Sequence, residues 1–186
     1  MRSHRSFVLC GWLALFPGVL GAEPATQQPI DDAIATLQSA AQSQGLAEIA
    51  EIDHARLATQ AVEPMPPSRV LILSDPEVNS QILSQNIRAG LDLPFRVLAF
   101  DNTGNASLSF TRFDLLARRH GLNSEFEHQF SSRLDALLKD APLPVMEAPT
   151  DGLTFNYGVL SLRSAYDFET TVKNLKDVVM AQSDTV

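Results

Sequence analysis

The segment from Phe95 to Thr111 constrains the fold more than any other part of this chain, because it predicts two strands that pair with each other. Phe95 to Phe100 is mostly apolar, and Asp101 to Asn105 reads Asp-Asn-Thr-Gly-Asn, a composition typical of a hairpin turn. Apolar and polar residues then alternate strictly from Ala106 to Thr111. Such alternation is the pattern of a strand with one face in the core and the other in water. The fold therefore includes an antiparallel sheet.

Two further strands are predicted before this hairpin and one after it. Leu46 to Asp53 reads as a mixed strand and Arg69 to Ser74 as a buried strand, and the prolines between them break the chain. Leu153 to Leu160, which follows a proline-bearing segment, reads as a last strand. The sheet is therefore expected to extend beyond the hairpin.

Apolar residues at helical spacing predict helices between and beyond the strands. The predicted helices cover Ile30 to Ala41, Val78 to Leu91, Phe113 to His120, Phe126 to Leu138 and Phe168 to Val179. Gly45 and Gly121 follow two of them, where a left-handed residue ends a helix. Ser164-Ala-Tyr-Asp167 resembles a capping box that opens the last helix. This succession predicts the α+β class, an antiparallel sheet packed by helices.

The last helix repeats the apolar spacing of the first. When Phe168 is laid over Ile30 without a gap, three further apolar pairs coincide, Val172 on Ile34, Leu175 on Leu37 and Val179 on Ala41. On spacing alone, coincidence explains this as well as kinship does, because any two amphipathic helices can share an apolar period.

The first residues have the layout of a secretory signal. Basic residues up to Arg5 precede an uncharged run from Phe7 to Leu20, and the small pair Gly21-Ala22 follows. The run is shorter than the roughly 20 residues that span a bilayer, so a permanent membrane anchor is the weaker interpretation. We expect residues 1–22 to be a signal peptide cleaved after Ala22, and the mature protein to be periplasmic or secreted.

Charge and cysteine content exclude several classes of function. Removing Arg2 and Arg5 from the 14 basic residues leaves 12 against 22 acidic ones, so the net charge changes from −8 to −10. Such a surface repels nucleic acids and anionic membranes, and neither is expected as a partner after cleavage. The only cysteine, Cys10, leaves with the signal, which excludes cysteine chemistry.

Three short motifs point to a known family. Ile52-Asp53-His54, Leu91-Asp92-Leu93-Pro94 and the stretch from Leu116 to Gly121, within a region from Ile30 to Leu122, resemble the bacterial family catalogued as domain of unknown function 302. The resemblance implies a compact antiparallel sheet packed by helices, similar to the TATA-box-binding-protein-like fold, in the order strand, helix, several strands, helix. It implies no established activity.

The resemblance also suggests how the chain is divided. Family members begin with a strand before the first helix, and that strand is missing here. A strand and helix like it recur at the end of the chain, as a partial second copy. We therefore predict a domain over residues 23–140, a linker over 141–152 and a strand-helix tail over 153–186, which completes the sheet or exchanges into that of a second chain in a homodimer.

Five polar residues are candidates for ligand binding. Asp53 and His54 form a carboxylate-imidazole pair that can serve a general base, or instead cap a turn and pack locally. Arg118, Arg119 and His120 end a short helix, where cations also pair with carboxylates without any ligand. No metal site is predicted, since zinc sites need three or four ligands, and no cofactor can be named.

Three functions of different classes follow. The first is a module that binds a small-molecule ligand or acts as an accessory protein, which predicts a concave apolar pocket. The second is a structural or assembly protein that acts through strand exchange, which predicts an exposed sheet edge. The third is an enzyme that uses Asp53 and His54, which predicts His54 in a cavity with another polar side chain.

Overall fold

The computed structural model describes residues 27–61 and 63–182. The predicted signal peptide over residues 1–22 lies outside these ranges. The described chain contains a four-stranded antiparallel sheet in which each strand pairs with the next along the sequence. The strands are β1 (Ala47–Asp53), β2 (Ser68–Ser74), β3 (Phe95–Asn102) and β4 (Asn105–Phe110).

Six α-helices accompany the described sheet. They are α1 (Gln28–Ser43), α2 (His54–Gln60), α3 (Pro76–Gln85), α4 (Phe113–His120), α5 (Glu127–Leu138) and α6 (Phe168–Met180). Short 3-10 turns cover Ile87–Leu91 and Ser124–Phe126. The prediction of an α+β fold with an antiparallel sheet packed by helices is confirmed. Sequence reasoning missed α2 and extended α3 across the separate 3-10 turn.

One face of the sheet forms the hydrophobic core. Its cross-strand neighbours include Leu71 opposite Val97 and Ala99 opposite Leu108. The helix α1 packs on β2 and β3 through the residues that the apolar spacing predicted, namely Ile30, Ile34, Leu37 and Ala41, each at most 2% exposed. Phe130 of α5 lies edge-on to Phe95 at 4.8 Å between ring centroids, which joins this helix to the same face.

The second face of the sheet carries apolar side chains that do not belong to the described hydrophobic core. It places Ile52, Val70 and Leu98 in one cross-strand row, with Ile72 and Phe100 in the adjacent rows. All five are partly buried by their neighbours in the sheet. We call these five residues the open face.

The hairpin forms where its turn composition predicted it. Thr103 and Gly104 both have positive φ angles, 57° and 88°, as the two central residues of a type I′ turn require. The Asp101 carboxylate accepts a hydrogen bond from the Gly104 backbone N–H at 2.6 Å. The turn sequence therefore fixes the register of β3 and β4.

The prediction of a strand over Leu153 to Leu160 is wrong. The structure has turns and irregular chain there, with Asn156 at φ 59°. The outer edge of β4 is bridged instead by the predicted linker, since Leu108 N–H donates to the Pro144 carbonyl at 2.8 Å and Met146 N–H to the Leu108 carbonyl at 2.7 Å. These two hydrogen bonds satisfy the backbone N–H and carbonyl of the buried edge residue Leu108, and both partners come from the three linker residues 144–146. Exchange of the tail between chains stays a prediction.

The final helix begins at Phe168, as the apolar spacing predicted, but without the predicted capping box. Asp167, not Ser164, is the N-cap, and its carboxylate accepts a hydrogen bond from Thr170 N–H at 2.8 Å. This bond holds the pKa of Asp167 below its ordinary value. Ser164 closes the preceding turn by accepting from Tyr166 N–H. We call residues 153–182 the C-terminal segment.

Candidate functional site

Asp53 and His54 lie at the junction of β1 and α2. Asp53 ends β1 as the N-cap of α2, accepting a hydrogen bond from Arg56 N–H at 2.8 Å. Its other carboxylate oxygen lies 3.4 Å from the Arg69 side chain. His54, the first residue of α2, is partly buried. The carboxylate is thus occupied by a cap and an ion pair, as the local-packing alternative predicted.

Arg69 gathers three carboxylates at the β1 side of the core face. Its guanidinium lies 2.9 Å from Asp31, 3.2 Å from Glu51 and 3.4 Å from Asp53. The carboxylates come from α1 and from the C-terminal end of β1, so the arginine ties helix to strand. An open groove beside it is lined by Asp53, Arg69 and residues of α2.

Two of the family-like motifs meet at a second, more buried cluster. The carboxylate of Asp92 receives Arg119 on one oxygen at 2.9 Å and His120 Nε2 on the other at 2.5 Å. Asp92 lies at the end of the 3-10 turn before β3, whereas Arg119 and His120 end α4. The side chain of His120 is fully buried, and that of Asp92 is 11% exposed. The structure therefore brings together two predicted residues and Asp92.

The C-terminus of α4 is fixed by further backbone contacts around this cluster. The Asn86 side chain donates to the His120 carbonyl at 2.7 Å, and Asn156 N–H donates to the Arg119 carbonyl at 2.8 Å. Gly121 follows with φ 65°, and a Cβ at that position would meet the Phe155 ring at 3.2 Å. Gly121 is therefore required both by the backbone and by the close approach of the C-terminal segment.

The chemistry available to the cluster is limited by burial. With Nε2 hydrogen-bonded to the carboxylate, a neutral His120 has its lone pair on Nδ1, which is buried without a hydrogen-bond partner in the structure. A general base must lie within hydrogen-bond reach of its substrate, and this nitrogen is buried. The contacts of the cluster tie α4 to the start of β3. Arg118 is exposed and lies outside it.

Sequence reasoning missed Asp92 as a partner of the cluster. A signal for it existed, because Asp92 lies inside the quoted tetrapeptide Leu91-Asp92-Leu93-Pro94, and a carboxylate beside two apolar residues needs a cation when buried. The pairing itself joins residues 28 positions apart. Only the fold shows which cation the carboxylate meets.

In the described chain a further groove lies beside Arg112, apart from the one beside Arg69. This groove is lined by Arg112, Asp114, Glu127, Asp135 and Glu147 with apolar residues beneath. Arg112 is bound there by Asp114 at 3.1 Å and by Glu147. Over residues 27–61 and 63–182, no group of three or more histidine, cysteine or acidic side chains is placed to hold a metal. No helix in the same ranges is long and apolar enough to cross a membrane.

The C-terminal segment exposes the largest set of apolar side chains in the structure. Most lie well apart from the core, and they are Phe155, Tyr157, Leu160, Leu162, Tyr166, Phe168, Leu175, Val178, Val179 and Met180. Phe168 is 82% exposed, Leu175 62% and Met180 76%. These side chains lie close together in the sequence, and large exposed apolar patches mark interaction sites in soluble proteins.

Comparison with known sequences finds a family and several relatives. The family described as Domain of unknown function DUF302 matches residues 23–141. The chain is also similar to the protein named Fluoride-specific ion channel FluC 1 of Brucella suis biovar 1, with 30% identity over 139 residues, 62% of this chain and 54% of that protein. A protein of the same name from Brucella abortus biovar 1 is equally similar and is covered to 51%. The chain spans about half the length of these curated relatives.

Comparison with solved structures identifies the fold. The structure is similar to that of an uncharacterized conserved protein DUF302 from Bacillus stearothermophilus, with a TM-score of 0.51 and 16% sequence identity. The match covers 60% of this chain and 89% of the Bacillus protein. At this identity the likeness concerns the fold alone.

Proposed function

The chain belongs to the family described as Domain of unknown function DUF302, and from that premise we propose that it is an exported docking protein, which assembles with another protein through its C-terminal segment. The observation that carries the proposal is the exposure of large apolar side chains along residues 153–182. The side chains of Phe168 and Leu175 are 82% and 62% exposed to solvent. Covering such side chains with a partner removes apolar surface from water, which stabilises the complex.

Docking is favoured over the two alternatives by the geometry of the polar residues. A small-ligand module requires a concave apolar pocket, whereas the described grooves beside Arg69 and Arg112 are open, and charged side chains share their lining with apolar residues. An enzyme based on Asp53 and His54 requires a free carboxylate, and Asp53 is engaged by Arg56 and Arg69. The assembly role does not depend on either group.

Export is part of the proposal and rests on the sequence before the described domain. The charged start, the uncharged run to Leu20 and the pair Gly21-Ala22 support removal of residues 1–22. Mass spectrometry of protein from the periplasm should find an N-terminus near Glu23. Recovery of Met1 in a membrane fraction would contradict export and favour a signal anchor.

The similarity to relatives named as fluoride channels supports an accessory role but not channel activity. Because the chain spans about half of their length, the channel activity in their name is not carried over to this chain. Their similarity supports an accessory role, in which a domain of this kind works beside a different protein unit. The surface used for such contact is the C-terminal segment.

The proposal is tested by the size of the protein in extracts of its own cells. We expect the protein to elute from a sizing column as an assembly larger than one chain, and the Leu175→Asp variant to elute as a single chain. The matched control is Asn174→Asp, which adds the same charge on the opposite, polar side of α6 and should leave the assembly intact. Elution of the unaltered protein as a single chain, or of Leu175→Asp at the unaltered size, would refute docking through this segment.

A further inference from the structure

We propose that α6 packs on the open face of the sheet in a second copy of this chain, so that two copies exchange their C-terminal helices. This inference rests on the proposed docking function and names the partner. The contact is reciprocal, since each chain offers one helix and one sheet face, and such a contact closes as a symmetric dimer.

The first argument is that α6 has the apolar face of a helix that packs on this type of sheet. Its residues Phe168, Val172, Leu175 and Val179 match in spacing the residues by which α1 covers the core face, Ile30, Ile34, Leu37 and Ala41. In α1 these positions are nearly inaccessible, whereas Phe168 and Leu175 are largely exposed in α6. The shared apolar pattern is therefore buried against the sheet in α1, whereas two of its residues in α6 remain largely exposed to solvent.

The second argument is the shape and chemistry of the open face. Ile52, Val70 and Leu98 form an apolar row across three strands, flanked by Ile72 and Phe100. Four strands about 4.8 Å apart make a surface about 15 Å wide. A helix of 13 residues is about 20 Å long, so α6 can lie across the whole row.

The third argument concerns the area and the charge of the contact. If α6 loses roughly 400 Å² of its exposed surface and the partly buried open face about half of that, each chain buries about 600 Å², the lower end of the range for stable interfaces. The C-terminal segment has three basic and three acidic residues, namely Arg163, Lys173, Lys176, Asp167, Glu169 and Asp177. Its zero net charge lets it approach an acidic second copy without repulsion.

Two other places for α6 are less well supported. Within its own chain, α6 makes no substantial contact with any of the four described strands, while residues 155–158 are held at the end of α4 by the bond from Asn156 to Arg119. Pairing of α6 with another α6 would use an apolar repeat of only about two heptads, shorter than the three to four that a stable coiled coil needs. The open face of a second copy meets neither objection.

The first experiment measures the mass of the purified full chain in solution by light scattering. We expect twice the mass of one chain for the unaltered protein and for Asn174→Asp, and the mass of one chain for Leu175→Asp. A purified protein that is a single chain overturns this inference; docking survives if the extract still shows an assembly that Leu175→Asp disrupts. A dimer that Leu175→Asp leaves intact overturns both proposals.

The second experiment locates the helix by disulfide formation. The chain has a single cysteine, so Leu175→Cys and Leu98→Cys are introduced separately in a Cys10→Ser background. We expect oxidation to link the two variants when they are mixed and to link neither variant to itself. Self-linking of Leu175→Cys would show helix-helix pairing. A third variant carries both Leu175→Cys and Leu98→Cys, and a disulfide within one chain of it that persists on dilution would show that α6 docks on the sheet of its own chain. Either result, or no link at all, overturns the inference.

Discussion

At the scale of single residues, the two adjacent arginines of α4 have different environments in the fold. Arg119 shares the buried carboxylate of Asp92 with His120, whereas Arg118, one position earlier, is exposed. A buried carboxylate that loses one of its cations keeps the cost of its own desolvation. The two arginines should therefore contribute very differently to stability.

We expect Arg119→Ala to lower the free energy of unfolding by about 2 kcal/mol, because it removes a charge-assisted hydrogen bond from a buried carboxylate. Arg118→Ala should change it by less than about 0.5 kcal/mol, as surface substitutions do. Urea denaturation of the two variants makes the comparison. Equal losses would mean that the tie between Asp92 and Arg119 has no energetic weight.

The pair Asp53 and His54 gives a second contrast between neighbours. Asp53→Ala removes the N-cap of α2 and a partner of Arg69, so it should lower the free energy of unfolding by about 1–2 kcal/mol. His54→Ala removes neither contact and should cost less than half as much. Thermal unfolding of both variants tests the order, and a larger loss for His54→Ala would revive a special role for the histidine.

At the scale of elements, the outer edge of β4 depends on a short piece of linker. Leu108 is completely buried, and its backbone N–H and carbonyl are both satisfied by residues 144 to 146. An unpaired polar group in such a place is costly, so the linker protects the edge as well as connecting α5 to the C-terminal segment.

Met146→Pro tests this role of the linker, since proline lacks the N–H that bonds the Leu108 carbonyl. We expect the free energy of unfolding to fall by about 1–3 kcal/mol, the cost of a buried acceptor without a partner. Val145→Pro is the matched control, because the two bridging bonds use the carbonyl of Pro144 and the N–H of Met146. Similar melting temperatures for the two variants would argue that the bridge is dispensable.

At the scale of the whole molecule, the domain and the C-terminal helix are separable. The core is built from the sheet with α1, α3, α4 and α5, and 60% of the chain is sufficient to match 89% of the Bacillus protein. The helix α6 contributes no residue to that core. Folding of the domain should therefore not require α6.

We expect a chain truncated after Leu162, which keeps the contacts of Phe155 and Asn156, to unfold cooperatively. Its melting temperature should lie within about 3 °C of that of Leu175→Asp, because both leave the same core intact. The proposed dimer should melt at a temperature that depends on protein concentration, whereas neither of these two variants should. Aggregation of the truncated chain, or a much lower melting temperature, would show that α6 stabilises the domain itself.

Local rules were sufficient for most elements of this protein. Local patterns predicted three elements: the alternation from Ala106 to Thr111, the apolar stripe from Ile30 to Ala41 and the helix end at Gly121. Each reflects a preference for burial or exposure, or for a φ angle, that involves only a few neighbouring residues. Such preferences depend little on the rest of the chain, so β4, α1 and α4 were predictable.

The partners of these elements depend on distance in space. Leu153 to Leu160 has the apolar content of a strand, yet it forms turns and irregular chain, and the outer edge of β4 is bridged by Val145 instead. Asp92 meets His120 across 28 positions, and α6 repeats the apolar face of α1 without its sheet. The sequence by itself determined most of the segments that become helices and strands, because these are set largely by local periodicity. The tertiary structure alone decided which surfaces meet, because burial and pairing are properties of the packed chain.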